Sequence, residues 1–377
     1  MNHFRPFELE RWQSTHENDV ELNLSESGVH PLTLGELRAL CAHAPLDDVL
    51  LGYGQTNGTL ALRERIARLY PGASPDNVTI ATGSAEANFA AVWTLARAGE
   101  GIAVLVPTYM QTPGVAAAFG ARVTTIPLRE ELGWQPDPDE LRSVMRTGMR
   151  ALVVTNPCNP TGTVLSPQAR SAIVDAAAQA DAWIIADEVY AGAELHGAVT
   201  PSFFGDYPRT IATGSLSKAY GLPGLRIGWA VTTPEMAEQL WTRRDYTTIA
   251  PAVLSDHLAV YALDTEVRTR LLARTRRLIH EGLDVVRPWL EQQPLFRWRV
   301  PDAGAILLAR YDAPIDDVEI AERLRVEHSV LIVPGTHFGI PRALRFGLGL
   351  PAAQLRTALD RLSGTLAAMG VDAAVTG

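Results

Sequence analysis

Cysteine is scarce in this chain: Cys41 and Cys158 are the only two in 377 residues. No disulfide framework is expected, and a reducing compartment fits. Basic residues are outnumbered, with 33 Lys and Arg against 42 Asp and Glu, so no basic face is implied and nucleic acid is not expected as a partner. Nothing approaches the roughly 18 uncharged apolar residues that a membrane span needs. The stretch Met1 to Glu10 also lacks an apolar signal region, and the expectation is a cytoplasmic protein with no membrane partner. Neither an internal repeat nor a low-complexity segment occurs. No metal-binding motif stands out.

What remains is an ordinary globular composition, 47% hydrophobic and 20% charged, long enough for one large core and a smaller second domain. Residues 1 to about 20 are polar and patternless, an arm lying on something else. Thr33 with Glu36 forms a capping box for a helix running to Ala42. From Asn77 onward short apolar runs alternate with helical patterns. The strands are expected at Val78 to Thr82, Ile102 to Val106, Arg122 to Pro127, Ala151 to Thr155, Ala182 to Ala186, Thr210 to Thr213 and Ile227 to Val231. Between them, Asp137-Pro138 and Ser166-Pro167 open helices with proline at the first helical position. Strands of about five residues without alternation, separated by helices, predict an α/β fold with a mostly parallel central sheet covered by helices on both faces. After Pro251 the pattern changes to long helices and a few strands, a smaller α+β domain. The expected units are an arm (1–35), a large domain (36–263) and a small domain (264–377).

The chain is organised around Ser215 to Trp229. Here a buried-strand pattern runs into two hydroxyls, Lys218, three glycines, a proline and Arg226. A lysine captures a carbonyl only if its amine can be uncharged, which an enclosed site near another cation favours. Ser215, Ser217 and Arg226 suit a bound phosphate. An aldehyde-bearing phosphate ester answers both, and pyridoxal 5'-phosphate (PLP) fits. The plain alternative is a surface loop with a solvated lysine.

Placement relative to the strands bears on that choice. Ligands of open α/β sheets bind beyond the carboxyl ends of the strands, and Gly83-Ser84-Ala85, Tyr109, Asn159, Asp187 with Tyr190, and Ser215 to Lys218 all fall there. Asp187, ending an apolar run, needs a cation, and a protonated pyridine nitrogen would serve. Tyr190 and Asn159 can donate to a phenolic oxygen, and Tyr109 offers a face for stacking. Gly83-Ser84-Ala85 presents free amides at a helix start. Singly, Asp187 reads equally well as a cap, Tyr109 as a core aromatic and Asn156 to Gly162 as two turns. Cys158 reads as a packing residue.

These residues resemble the class I/II aminotransferases, fold type I of the PLP enzymes, over nearly the whole chain. The matching motifs are Tyr53 with Gly58, Gly83-Ser84, Pro107-Thr108-Tyr109, Asn156-Pro157 with Asn159-Pro160-Thr161-Gly162, and Asp187-Glu188-Val189-Tyr190. They continue with Ser215 to Lys218 and Arg226, Val333-Pro334-Gly335, and Leu344-Arg345. The resemblance implies Lys218 as the Schiff-base lysine and proton shuttle, Asp187 on the pyridine nitrogen, and Asn159 and Tyr190 on the ring oxygen. It places Ser84, Ser215, Ser217 and Arg226 on the phosphate and Arg345 on the substrate carboxylate. Tyr53 is implied to reach the phosphate of a neighbouring subunit, making a homodimer with shared sites, and Thr248 to approach the partner's site.

The segment Leu24 to His30 departs from the usual form and is similar to that of the capreomycidine synthase group, which cyclises a hydroxylated arginine. Asn159, Glu26, Ser27, Gly28 and His30 are therefore expected near the substrate with Arg345, and Glu17 or Glu26 could take a guanidinium or amine. Solvated arm residues are the plain reading of Glu17, and packing at a turn is that of His30. The leading expectation is an aminotransferase acting on an L-α-amino acid and a keto acid. The alternative is a PLP-dependent elimination or cyclisation enzyme acting on an arginine derivative. A PLP-binding regulator would need a DNA-binding domain, for which no segment is left.

Overall fold

The structure is a computed structural model and describes residues 5–41 and 44–370. The Ala42 end of the helix expected after Thr33 therefore lies outside the described residues. The main sheet has eight strands, built from β2 (Val78–Ala81), β3 (Gly101–Val106), β4 (Arg122–Arg129), β5 (Gln135–Pro136), β6 (Met149–Thr155), β7 (Trp183–Asp187), β8 (Thr210–Ser215) and β9 (Gly228–Val231), in the order β2-β9-β8-β7-β6-β3-β4-β5. β4, β3, β6, β7 and β8 run parallel. β9 is antiparallel to both β8 and β2, and β5 is antiparallel to β4. Every residue of β2, β8 and β9 is buried, which is why these strands read as unbroken apolar or small-residue runs rather than alternating ones.

The cap chemistry holds locally. Thr33 accepts from the Glu36 amide while the Glu36 side chain reaches back to the Thr33 amide, opening the helix Leu34–Leu40. Asp137 takes the Asp139 and Glu140 amides at the start of Pro138–Met145, and Ser166 takes the Ala169 amide before Pro167–Gln179. The long helical stretch is broken at Leu263 and Asp264, between the helices Val253–Ala262 and Thr265–Glu291. Asp264 caps the second of these by accepting the Glu266 amide.

A second sheet is wholly antiparallel, with β10 (Phe296–Trp298), β11 (Ile306–Tyr311), β13 (Val333–Pro334) and β14 (Ala343–Gly347) in the order β10-β11-β14-β13. The arm is tied to it. The Gly347 amide of β14 donates to the Leu24 carbonyl at 2.8 Å, and in a separate two-stranded sheet the arm's short strand β1 (Leu22–Asn23) pairs in parallel with β12 (Val330–Leu331). A Cβ on Gly347 would overlap the Leu24 and Glu26 carbonyl oxygens, and one on Gly349 the Gly28 carbonyl, so both glycines are needed for the arm's close approach.

The arm differs from its sequence expectation in one respect: it contains the helix α1 (Glu8–His16). Its apolar docking rests chiefly on two residues. Leu9 is buried with Val333 and Phe338, and the Trp12 indole N–H donates to the Ile332 carbonyl at 2.9 Å. So thin an apolar stripe is invisible to periodicity and is stabilised by tertiary contact alone.

Candidate active site

The carboxyl ends of β2, β3, β6, β7 and β8 open on one edge of the main sheet, where the arm and β14 close over them. The cavity there holds about 310 Å³. Its walls carry Ser84, Ala85, Tyr109, Asn159, Asp187, Tyr190, Ser217, Lys218 and Arg226 from the large sheet, Arg345 from β14, and Glu17, Glu26 and Ser27 from the arm. All were singled out in the sequence.

At one end the helix α2 (Gly83–Leu95) points its first turn inward without a side-chain cap, leaving amides free for an anion. Gly83 has φ +77°, and a Cβ there would overlap the Arg226 guanidinium. A Cβ on Gly228 would likewise run into the Gly83 and Ser84 backbone. Arg226 is itself left-handed, at φ +50°. Its Nη1 donates to the Pro223 carbonyl at 3.1 Å and lies 3.5 Å from the Ser217 hydroxyl. Ser215 Oγ accepts the Ser217 amide at 3.2 Å, which shapes the turn before Lys218. Two glycines thus hold a guanidinium, hydroxyls and a helix amino end close enough to embrace a dianion.

Deeper in, Asp187 is only 7% exposed. Asn88 Nδ2 donates to its Oδ2 at 2.8 Å, and the Val189 amide to its Oδ1 at 3.2 Å. Burial pushes the Asp187 carboxyl above its ordinary value, against these donors and the charge of Lys218. Among the described residues no cation forms an ion pair with it. Lys218 Nζ instead lies 2.8 Å from Glu26 Oε1, which also accepts the Ser27 and Gly28 amides at 2.8 Å each. Burial pulls the Lys218 amine down, and the Glu26 carboxylate and Tyr190 more than offset it, so the amine is held above its ordinary value. The reciprocal effect takes Glu26 down to about 2, Lys218 being the foremost cause.

Arg345 is almost fully buried. Its Nη1 donates to Asn159 Oδ1 at 3.1 Å and its Nη2 to the Ser25 carbonyl, while its Nε has no partner among the described residues. A buried guanidinium nitrogen left free is costly unless a ligand takes it. Burial also raises the Tyr190 and Tyr109 phenols, so both stay protonated and can donate. The Tyr109 hydroxyl donates to Glu10 Oε1 at 2.6 Å. PLP fits this set on three observations: a buried carboxylate without a cation, a glycine-lined anion cradle, and an amine between the two.

Three expected residues stand apart from the cavity wall. His30 is exposed, and its carbonyl accepts from Arg274 at 2.7 Å. His30 lines no part of this chain's own cavity, and its amide is tied to the Gly349 carbonyl at 2.9 Å. Tyr53 is 88% exposed and lines no part of this chain's own cavity. Thr248 donates to Glu86 at 2.7 Å and accepts from Arg244 at 3.2 Å. Gly83, Ser215 and Gly28 lie just behind the wall; a Cβ on Gly28 would sit 3.6 Å from Lys218 Cδ.

Sequence reasoning missed Glu10, Gln13 and Asn88. Glu10 and Gln13 line the cavity with Glu17, and their i, i+3, i+7 spacing puts them on one helical face, a signal available only once α1 is known to be a helix. Asn88 is the one buried amide in an alanine-rich helix, at 2% exposure.

The family model for aminotransferases of class I and II matches residues 35–362. Capreomycidine synthase of Streptomyces vinaceus is 33% identical over 361 residues, covering 94% of this chain and 92% of that protein. Arginine–pyruvate transaminase AruH of Pseudomonas aeruginosa is 29% identical over 333 residues, covering 85% and 84%. Among solved structures, a PLP-dependent aminotransferase from Streptococcus suis superposes with a TM-score of 0.91 at 31% identity, over 97% of this chain and 98% of that one.

Proposed function

This chain belongs to the class I and II aminotransferase family and is a PLP-dependent enzyme of fold type I; on that premise we propose that it transaminates an L-α-amino acid with a cationic side chain, arginine or an arginine derivative. The observation that carries the side-chain class is the crowding of Glu10, Glu17 and Glu26 on the cavity wall that also holds Arg345. Burial raises the Glu17 carboxyl, and the charges of Glu26 and Glu10 add to the rise. Bringing a cation to these acids relieves that repulsion, whereas a neutral or acidic side chain does not.

In this reading the Arg226 guanidinium, the Ser84, Ser215 and Ser217 hydroxyls and the amides of Gly83 to Ala85 hold the coenzyme phosphate. Asp187 holds the pyridine nitrogen, Asn159 and Tyr190 address the ring oxygen, and Tyr109 covers the ring. The bound coenzyme supplies an electron sink for the substrate's α-carbon. Arg345 takes the substrate carboxylate with its planar fork, and Asn159 orients that fork. Lys218 Nζ would take up and hold the proton of the substrate's α-carbon, which requires the amine to be released from Glu26.

The second reading is elimination and cyclisation of an arginine derivative, as in the capreomycidine synthase group. It is favoured by the 33% identity across 94% of the chain and by the Leu24 to His30 segment. Both readings share the cation site, Arg345 and proton removal by Lys218.

We further propose a homodimer in which Tyr53 reaches the partner's phosphate cradle. Leu50, Leu51 and Tyr53 are 85%, 76% and 88% exposed, apolar surface that a partner would cover. A cytoplasmic location and the units 1–35, 36–263 and 264–377 belong to the same proposal. In support, both cysteines are free and buried, and no helix among the described residues is long and apolar enough to cross a membrane.

The deciding experiment mixes the PLP-loaded enzyme with arginine, hydroxyarginine or citrulline and no keto acid. One equivalent of aminated coenzyme per site supports transamination. Repeated turnover releasing ammonia, water or a cyclic amino acid moves the assignment to the second reading. Equal kcat/KM for arginine and its neutral isostere citrulline overturns the cationic side chain in both.

A further inference from the structure

The carboxylate at the end of β7 does not stand alone. Asn88, one and a half turns into α2, reaches across 99 residues of sequence to place Nδ2 2.8 Å from Asp187 Oδ2. On its other side the Thr213 hydroxyl, wholly buried on β8, donates to Asn88 Oδ1 at 2.8 Å. The Ala186 carbonyl is 3.4 Å from that hydroxyl, a longer second choice for its proton.

The chemistry of the three groups settles which way the amide faces. A carboxylate only accepts, so an Asn88 carbonyl turned toward ionised Asp187 would set oxygen against oxygen in a buried place. With the NH2 toward Asp187, the Asn88 carbonyl is left facing Thr213, whose hydroxyl supplies the proton. Thr213, Asn88 and Asp187 therefore form a one-way chain of donors that ends on the carboxylate.

We propose that Asn88, oriented by Thr213, is a positioning residue for the coenzyme: it fixes Asp187 in the direction and the charged form that hold the pyridine nitrogen. The Val189 amide holds the other carboxylate oxygen, so neither oxygen is free to rotate away. Lys218 beyond β8, Tyr109 beyond β3, and Glu188 and Tyr190 beside Asp187 are the titratable groups around it. Glu188 is itself buried and pushed up to about 7 by burial. Lys218 is thus the only cation in the set, and it is engaged by Glu26. The neutral donor on α2 does what no neighbouring charge is free to do.

The test uses Asn88→Asp, which keeps the shape and sets a second carboxyl against Asp187, Asn88→Leu, which removes both polar atoms, and Thr213→Val, which removes only the distant proton. Coenzyme-free protein is titrated with PLP across pH, following the visible absorption of the bound coenzyme, and the melting of the coenzyme-free protein is recorded alongside. Both Asn88 variants are expected to weaken PLP about 10-fold to 100-fold, the weight of one hydrogen bond to a charged group. Thr213→Val is expected to weaken it by a smaller factor, with only the modest drop in melting that one orphaned buried carbonyl causes, so the proposal stays open to test even if an Asn88 variant fails to fold.

The pH arm is the sharper one. Without Asn88 the Asp187 carboxyl rises further, so the loss of PLP affinity on acidification begins at higher pH than in the parent. If the variants lower the melting temperature yet bind PLP with the parent's affinity and pH profile, Asn88 is only a packing residue and the proposal falls.

Discussion

Lys218 Nζ and Glu26 Oε1 lie 2.8 Å apart although 192 residues separate them in the chain. The pair joins the one amine that the reaction requires to a carboxylate held rigidly by the arm's own amides. An ammonium so paired is a poor nucleophile and a poor base, so Glu26 sets the condition under which Lys218 acts.

Glu26→Gln should therefore let coenzyme-free protein take up PLP at lower pH than the parent, because the Lys218 amine loses the charge that holds its proton. Stopped-flow absorbance against pH checks this. The same substitution alters acid stability. A carboxyl lowered on folding from 4.5 to about 2 contributes stability that is present above its unfolded value and lost as pH falls toward 2. The raised Lys218 amine contributes stability lost only on the alkaline side, as pH rises through its folded value. The variant should thus lose less stability than the parent between pH 4.5 and 2, as read by melting temperature.

Arg345→Lys should lower kcat/KM about 100-fold while leaving PLP affinity within a few-fold. A lysine keeps the charge but lacks the planar fork that spans a carboxylate, and Asn159 Oδ1 loses a donor now 3.1 Å away. Equal losses in PLP affinity and in turnover would mean that Arg345 serves the cavity's structure instead.

Gly228→Ala should reduce PLP affinity more than 100-fold. The added methyl drives into the Gly83 and Ser84 backbone, and a rigid backbone gives way less easily than a side chain. Equilibrium titration with PLP measures the loss, and free phosphate should compete for the parent's site but not for the variant's.

Leu9→Ala should detach α1 without unfolding the body of the protein. Leu9 is 1% exposed in a small cluster with Val333 and Phe338, and deleting such a side chain costs about 2–5 kcal/mol, more than so short a helix holds by itself. Hydrogen exchange across residues 8–16 should speed up markedly. Since Glu10 and Glu17 leave with the helix, selectivity for arginine over citrulline should fall together with it.

The sequence by itself determined most strands and helices of the large domain and which residues stand where strands end. Buried-strand runs, the Thr33 and Glu36 box and the caps at Asp137 and Ser166 are interactions between near neighbours, so they can be read along the chain. Lys218, Asp187, Asn159, Tyr190 and Arg226 were legible because each is an unlike residue at or just beyond the edge of an apolar run. Only the tertiary structure decided the antiparallel entry of β9 between β8 and β2, the helix in the arm, and the partners of the buried polar groups. Asn88 with Asp187, Glu26 with Lys218 and Arg345 with Asn159 meet across 99, 192 and 186 residues. A buried donor or acceptor must find a partner, but local sequence does not say which one. That choice is made when sheet order and chain closure bring distant segments to the same edge.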